Sequence, residues 1–155
     1  MGRRGRWHGW LAAAILALPL AAGQAPSARE KCPVCGMFVA KYPDWMAVLR
    51  FKDGSALAFD GPKDLFTAYL DLQRYAPGRS AADVAAIEVK DYYSLRPVDG
   101  FRAVFVIGSD VTGPMGRELV PFAEAGDAAA FLKDHRGRRS LRFGEVTAAV
   151  LRSLP

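Results

Sequence analysis

The stretch KCPVCGMFVAKYPDW holds both cysteines of the chain and one of its four methionines. Cys32, Cys35 and Met37 place three sulfur atoms within six residues. Thiols at this spacing can close a disulfide, ligate zinc, carry out thiol–disulfide exchange or bind a soft metal ion. Each of these chemistries requires different further residues or elements in the chain, and their presence or absence discriminates between the four.

A structural zinc site needs four ligands, which usually come from a second pair of cysteines or histidines. The chain has no third cysteine, and its two histidines are His8, in the N-terminal segment, and His135. A thioredoxin-like pair lies at the N-terminus of a helix, whereas Gly36 and the β-prone residues after it predict no helix here. Structural zinc is therefore not expected. A thiol–disulfide redox protein and a disulfide-stapled interaction domain stay open as alternatives.

Copper(I) fits these sulfurs with the fewest further assumptions, because it is soft, favours thiolate and thioether sulfur and needs only two or three ligands. Another sulfur, Met115, lies in the glycine-flanked segment TGPMGRE. It belongs to a predicted loop rather than to an apolar stripe, so packing in the core explains it poorly. Met46 lies among the apolar residues of a predicted strand, and we expect it in the core.

The N-terminus, MGRRGRWHGWLAAAILALPLAAG, has the layout of a secretory signal peptide over residues 1–23. Three arginines precede an apolar run of thirteen residues, which is shorter than the ~20 residues that a membrane-spanning helix requires. No cysteine follows the run closely, so no membrane or lipid anchor is indicated. We expect a periplasmic or secreted protein that is soluble after cleavage.

Charge and motifs exclude two classes of function. Removal of residues 1–23 takes away three arginines and no acidic residue, which lowers the formal net charge from +5 to +2. A nucleic-acid-binding domain would carry clustered basic residues, so no nucleic-acid partner is expected. The chain also lacks a serine–histidine pairing, a phosphate-binding glycine loop and a metal site with an evident open catalytic position. We therefore expect a protein that is not an enzyme.

Hydrophobic periodicity divides the rest of the chain into a linker, residues 24–31, and one domain, residues 32–155. Residues 45–92 predict two strands around an Asp53-Gly54 turn, then a helix that begins at Pro62, then a third strand. Residues 103–143 repeat this order, with SDVTGPMG as a loop and RELVPF as a short strand, and a C-terminal helix follows. The predicted fold class is α+β, with two related β-β-α-β units in one compact domain.

The sequence also resembles the NosL family, the copper-binding accessory proteins of nitrous oxide reductase maturation in denitrification. The segments CPVCGM and SDVTGPMGRELVPFAEAG carry the resemblance, which extends from about Cys32 to about Val146. It implies a NosL-like domain that acts as a metallochaperone, holding Cu(I) and delivering it to a client cuproprotein, nitrous oxide reductase. An ABC-transporter complex is implied as a further partner. The implied metal ligands are Cys32, Cys35, Met37 and Met115.

Asp60, in AFDGP, stands where some members of this family carry a cysteine. A carboxylate is a hard ligand that binds Cu(I) poorly, and an aspartate suits the turn that precedes a helix. We therefore expect Asp60 to be a turn residue rather than a copper ligand.

Overall fold

The computed structural model describes residues 27–154, so the predicted signal peptide lies outside the described residues. Within this range, no helix combines the length and the apolar character needed to cross a membrane. The described chain contains three antiparallel sheets, of four, three and two strands, and four α-helices. The predicted α+β fold class is confirmed.

The first β-β-α-β unit forms a four-stranded sheet with strand order β2-β1-β3-β4. Its elements are β1 (Ala47–Phe51), β2 (Ala56–Phe59), α1 (Pro62–Leu70), α2 (Leu72–Tyr75), β3 (Val84–Lys90) and β4 (Pro97–Asp99). The turn between β1 and β2 contains Gly54 at φ +87°, a conformation that glycine adopts without strain. This turn fixes the register that pairs Ala47 with Phe59 and brings the end of β2 beside the start of β1.

The second unit repeats the order of strands and helix around a three-stranded sheet, β8-β5-β9. Its elements are β5 (Val104–Ile107), β6 (Thr112–Gly113), β7 (Gly116–Arg117), β8 (Val120–Phe122), α3 (Ala125–Asp134), β9 (Arg139–Arg142) and the C-terminal α4 (Ala148–Arg152). The expected loop around Met115 is instead a small hairpin, β6–β7, with Gly116 at φ +83° in its turn. The strand expected over RELVPF is shorter than predicted: β8 begins only at Val120, whereas Arg117 ends β7.

Helix α1 joins the two sheets. Phe66 on its apolar face meets Phe105 of β5 edge to face, with ring centroids 5.0 Å apart, and both side chains are almost fully buried. Phe143 packs on the other side of Phe66 at 5.1 Å. Aromatic pairs in this geometry stabilise a core beyond the area they bury. Contacts with both units therefore fix the position of α1 and of the side chains on its first turn.

Replacement of Phe66 by alanine should lower the free energy of unfolding by about 3–5 kcal/mol, because it removes the ring that joins the two units. Leu70→Ala on the same helix is the control. Leu70 is 43% exposed, so its loss should change stability by less than about 1 kcal/mol. Urea denaturation of both variants measures the difference, and equal effects would show that α1 does not join the units through Phe66.

Candidate metal centre

The two cysteines lie in a tight turn closed by its own backbone. The Cys32 N–H donates to the carbonyl of Met37 at 2.8 Å, and the Gly36 N–H donates to the carbonyl of Cys32 at 2.8 Å. Gly36 has φ +78°, in the left-handed region that favours glycine. A bridge between Lys31 and Phe38 fastens the two ends of the turn together. This cysteine turn, residues 31–38, holds its two thiols close together.

Four potential ligand atoms meet where the cysteine turn touches the start of α1. The sulfurs of Cys32 and Cys35 and one carboxylate oxygen each of Asp60 and Asp64 all lie within 4.8 Å of one another. The Cys32 thiol donates to Asp64 Oδ2 at 3.2 Å, and the Cys35 thiol donates to Asp60 Oδ1 at 3.3 Å. Three of the four residues are buried, and Cys35 is half-buried. Cys35 is therefore the side from which solvent or a partner can reach the cluster.

The end of β2 and the first turn of α1 position the two carboxylates. Asp60 directly follows β2, Gly61 is the extended N-cap residue of α1, and Pro62 is its first residue. Asp64 is four residues after Asp60 and faces the same sulfurs. The sequence predicts Asp60 in the turn, but the structure also buries its carboxylate fully, against the Cys35 thiol. Asp64 was not among the predicted site residues, although two aspartates four apart at a helix start can share one face.

Burial controls the protonation of this cluster. It raises the pKa of the Cys32 thiol strongly and that of the Cys35 thiol to about 11, and the hydrogen bonds to Asp60 and Asp64 act in the same direction. Burial also raises the pKa of Asp64. Both thiols therefore carry their protons at neutral pH. A dithiol that attacks disulfides needs the opposite, a lowered thiol pKa, so these values do not favour redox catalysis.

One carboxylate oxygen of the cluster has no partner. Asp60 is fully buried, and its Oδ2 accepts no hydrogen bond from any residue between 27 and 154. Leaving a buried acceptor unsatisfied costs about 1–3 kcal/mol. A cation bound at the sulfurs would give this oxygen a favourable partner, so the orphaned oxygen fits a site that can hold a metal ion.

The two methionines expected at the site differ in their surroundings. Met37 is half-buried, and its sulfur accepts a hydrogen bond from the Tyr42 hydroxyl at 3.6 Å. Met115, at the tip of the β6–β7 hairpin, is 41% exposed. The carbonyl of Met115 accepts a hydrogen bond from the Lys63 ammonium at 3.4 Å, so the hairpin tip contacts the first turn of α1. Ligation by either methionine stays a prediction.

The remaining residues considered from the sequence have other partners. Met46 is half-buried and packs against the main hydrophobic core, as expected. His135 ends α3, where its Nδ1 lies 3.0 Å from Asp110 Oδ1 and its ring stacks on Phe131. Neither residue belongs to the cluster of Cys32, Cys35 and the two aspartates.

Comparison with known proteins gives relatives of named function. The sequence model of the NosL family matches residues 24–151. The copper-binding lipoprotein NosL of Stutzerimonas stutzeri is 30% identical over 130 residues, which cover 79% of this chain and 64% of that protein's length. The crystal structure of the copper chaperone NosL from Shewanella denitrificans matches with a TM-score of 0.69 at 29% identity. That match covers 84% of this chain and 99% of the other.

The reduced, metal-free protein should show almost no thiolate absorbance at pH 10, because burial raises the pKa of Cys35 to about 11 and that of Cys32 still further. An ordinary cysteine, with a pKa of about 8.5, is almost fully ionised there. Asp60→Asn should shift the titration to lower pH, since it removes the carboxylate whose hydrogen bonding raises the pKa of both thiols. Ultraviolet titration measures this.

The control for this titration is Asp71→Asn, which changes an exposed aspartate at the other end of α1 and should leave the curve of the native protein unchanged. Ionisation of both thiols near pH 8.5 in the native protein would contradict the effect of burial. Identical curves for the native protein and Asp60→Asn would contradict the role of Asp60.

Proposed function

The chain belongs to the NosL family, and on that premise we propose that it is a copper(I) carrier that hands its ion to a client protein and is not an enzyme. The family matches nearly the whole described domain. The relatives from Stutzerimonas stutzeri and Shewanella denitrificans are named as a copper-binding lipoprotein and a copper chaperone. The observation that carries the proposal is the cluster of two free thiols, buried Cys32 and half-buried Cys35, beside a carboxylate with one unsatisfied oxygen.

The proposed copper ligands are the sulfurs. Thiolates of Cys32 and Cys35 supply two soft ligands, and the thioether of Met115 supplies the third. Met37 contributes less, because its sulfur would have to give up the hydrogen bond from Tyr42. The carboxylates lie against the sulfurs and provide negative charge, but as hard oxygens they are poor direct ligands for Cu(I).

Partial exposure of the site suits release to a partner. Cys35 is half-buried and Met115 is 41% exposed, so an incoming ligand can approach from that side. The client then adds a ligand to an incomplete copper shell, and the ion passes by exchange without becoming free. A thioether cannot be lost to a disulfide, so Met115 retains its ligand capacity where thiols are readily oxidised.

The resemblance to the family supports a proposal for the client and the compartment. We assign nitrous oxide reductase as the client cuproprotein and an ABC-transporter complex as a further partner. The N-terminal segment, residues 1–23, would direct the protein to the periplasm or to the exterior. The thiol–disulfide alternative is disfavoured, because burial raises the pKa of both cysteines.

Copper(I) affinity should fall when a ligand sulfur is removed without a change in packing. Met115→Leu keeps the size and apolar character of the side chain, so its effect reports the sulfur alone. We expect affinity to fall by about tenfold, which is roughly 1.4 kcal/mol. Met37→Leu should have a smaller effect, and Cys32→Ser and Cys35→Ser a larger one. Competition with a chromogenic copper(I) chelator under anaerobic conditions measures each affinity.

Met46→Leu is the matched control, because Met46 packs in the core and should keep native affinity. A native affinity for Met115→Leu would remove Met115 from the ligand set. Native affinity in both serine variants would refute the proposal of a copper carrier at this site. Turnover on disulfide substrates by a protein that binds no copper would instead support the redox alternative.

The copper-loaded protein should transfer its ion to copper-depleted nitrous oxide reductase even when a chelator that captures free copper(I) is in excess. The reason is that direct exchange passes through a complex in which both proteins bind the ion, so free copper(I) is never released. The signal to follow is the copper content of the reductase after separation of the two proteins. Complete interception by the chelator, at the rate seen without the reductase, would refute direct transfer.

A further inference from the structure

Glu118, between β7 and β8, is a buried carboxylate that the proposed ligand set does not use. It is only 2% exposed. Its Oε1 accepts hydrogen bonds from the Lys63 N–H at 2.6 Å and from the Leu119 N–H at 2.9 Å. Its Oε2 has no hydrogen-bond partner among residues 27–154. A carboxylate so placed needs a reason, because burial without full hydrogen bonding is unfavourable.

The first of these hydrogen bonds replaces the missing cap of α1. The first N–H groups of a helix lack partners inside the helix, and a side chain at the N-cap position usually supplies one. Here the N-cap is Gly61, which has no side chain to do so. Glu118, 55 residues further along the chain, accepts the Lys63 N–H instead.

Two glycines in different segments of the chain leave the space that the Glu118 side chain occupies. A Cβ atom at Gly61, before α1, would lie 2.6 Å from Glu118 Oε2. A Cβ atom at Gly113, in the hairpin, would lie 2.9 Å from Glu118 Cγ. Any side chain at either position would therefore force Glu118 or the backbone to move. Glu118 fills the contact between the segment that carries Asp60 and Asp64 and the hairpin that carries Met115.

We propose that Glu118 is a positioning residue of the metal centre, which ties the Met115 hairpin to the first turn of α1 so that thioether and thiols can bind one copper(I) ion. This inference rests on the proposed function, because it requires Met115 to be a copper ligand. The hydrogen bond from the Lys63 ammonium to the Met115 carbonyl, on the same side of α1, supports the same placement of the hairpin.

The chemistry of Glu118 suggests a conservative replacement. Burial raises its pKa to about 8, and nearby Asp64 acts in the same direction, so the side chain holds a proton at neutral pH. Glutamine has the shape of a protonated glutamate and presents the same acceptor oxygen to Lys63 and Leu119. Glu118→Gln should therefore keep the hairpin in place, whereas Glu118→Ala should release it.

The test is a double-mutant cycle of copper(I) affinity with Met115. Glu118→Ala alone should weaken binding by about tenfold, within the range seen when a residue that orients a metal ligand is lost. Glu118→Gln should stay within about twofold of the native affinity. In the Met115→Leu background, Glu118→Ala should have little further effect, because the ligand that it positions is already gone. X-ray absorption of the copper-loaded Glu118→Ala protein should count one sulfur fewer than in the native protein.

Two further variants protect the test against general loss of structure. In Gly113→Ala, the added methyl group displaces the Glu118 side chain without replacing it. This variant therefore tests the contact even if Glu118→Ala does not fold. It should weaken copper(I) binding only while Met115 is present. Glu145→Ala removes another carboxylate that accepts a backbone hydrogen bond, from Arg142 at 2.7 Å, and should leave affinity unchanged. Thermal unfolding of each metal-free variant reports stability separately from binding.

Three outcomes would overturn the inference. Native affinity in both Glu118→Ala and Gly113→Ala would show that the contact does not position the ligand. An equal loss with and without Met115 would show that Glu118 acts only on general stability. No effect of Met115→Leu itself would remove Met115 from the proposed ligand set. That last outcome is distinguishable from the first two, in which Met115→Leu still weakens binding.

Discussion

Two thiols and two carboxylates are packed together where the cysteine turn touches the start of α1, and the surrounding structure has to hold them there. Buried groups of this kind are unfavourable unless they are paired, and one oxygen of Asp60 is not. Burial of the apolar residues next to the two aspartates in sequence compensates for this unfavourable energy. Phe59 before Asp60 and Leu65 after Asp64 are completely buried, so each carboxylate is fixed by the core residue beside it. The polar cluster is therefore tolerated because the hydrophobic core on either side determines where it lies.

Helix α1 connects this cluster to the rest of the molecule. Its apolar face joins the two sheets through Phe66 and Phe105, and its first turn carries Asp64 toward the sulfurs. The Lys63 N–H in the same turn donates a hydrogen bond to the carboxylate of Glu118, which belongs to the second unit. Stability and metal chemistry thus depend on one nine-residue element. The cysteine–aspartate cluster thus combines a turn that precedes the first unit with two carboxylates at the start of α1.

Local sequence signals predicted the parts of this arrangement that short-range physics determines. The Asp53-Gly54 turn, the helix that begins at Pro62 and the absence of a helix after Gly36 all follow from residue type and spacing. Asp64 and Glu118 could not be found in this way, because acidic residues on helices and near strands are usually solvated. Their burial depends on contacts 32 and 55 residues away in sequence. The β6–β7 hairpin was expected as a loop, since strands of two residues are too short to show a periodicity.

Burial of the cluster also bears on how a carrier can bind copper and still release it. The same desolvation that raises the pKa of Cys32 and Cys35 keeps the empty site protonated. In the proposed carrier, copper(I) would displace those protons, so part of the strength of the sulfur–copper bonds would be offset by the protons that leave. The nearby carboxylates attract the cation but also disfavour the thiolates that it needs. A site balanced in this way binds less tightly than two freely ionised thiolates would, and its half-exposed side leaves a path for exchange. Such properties suit the proposed role, in which the centre passes its metal on rather than storing it.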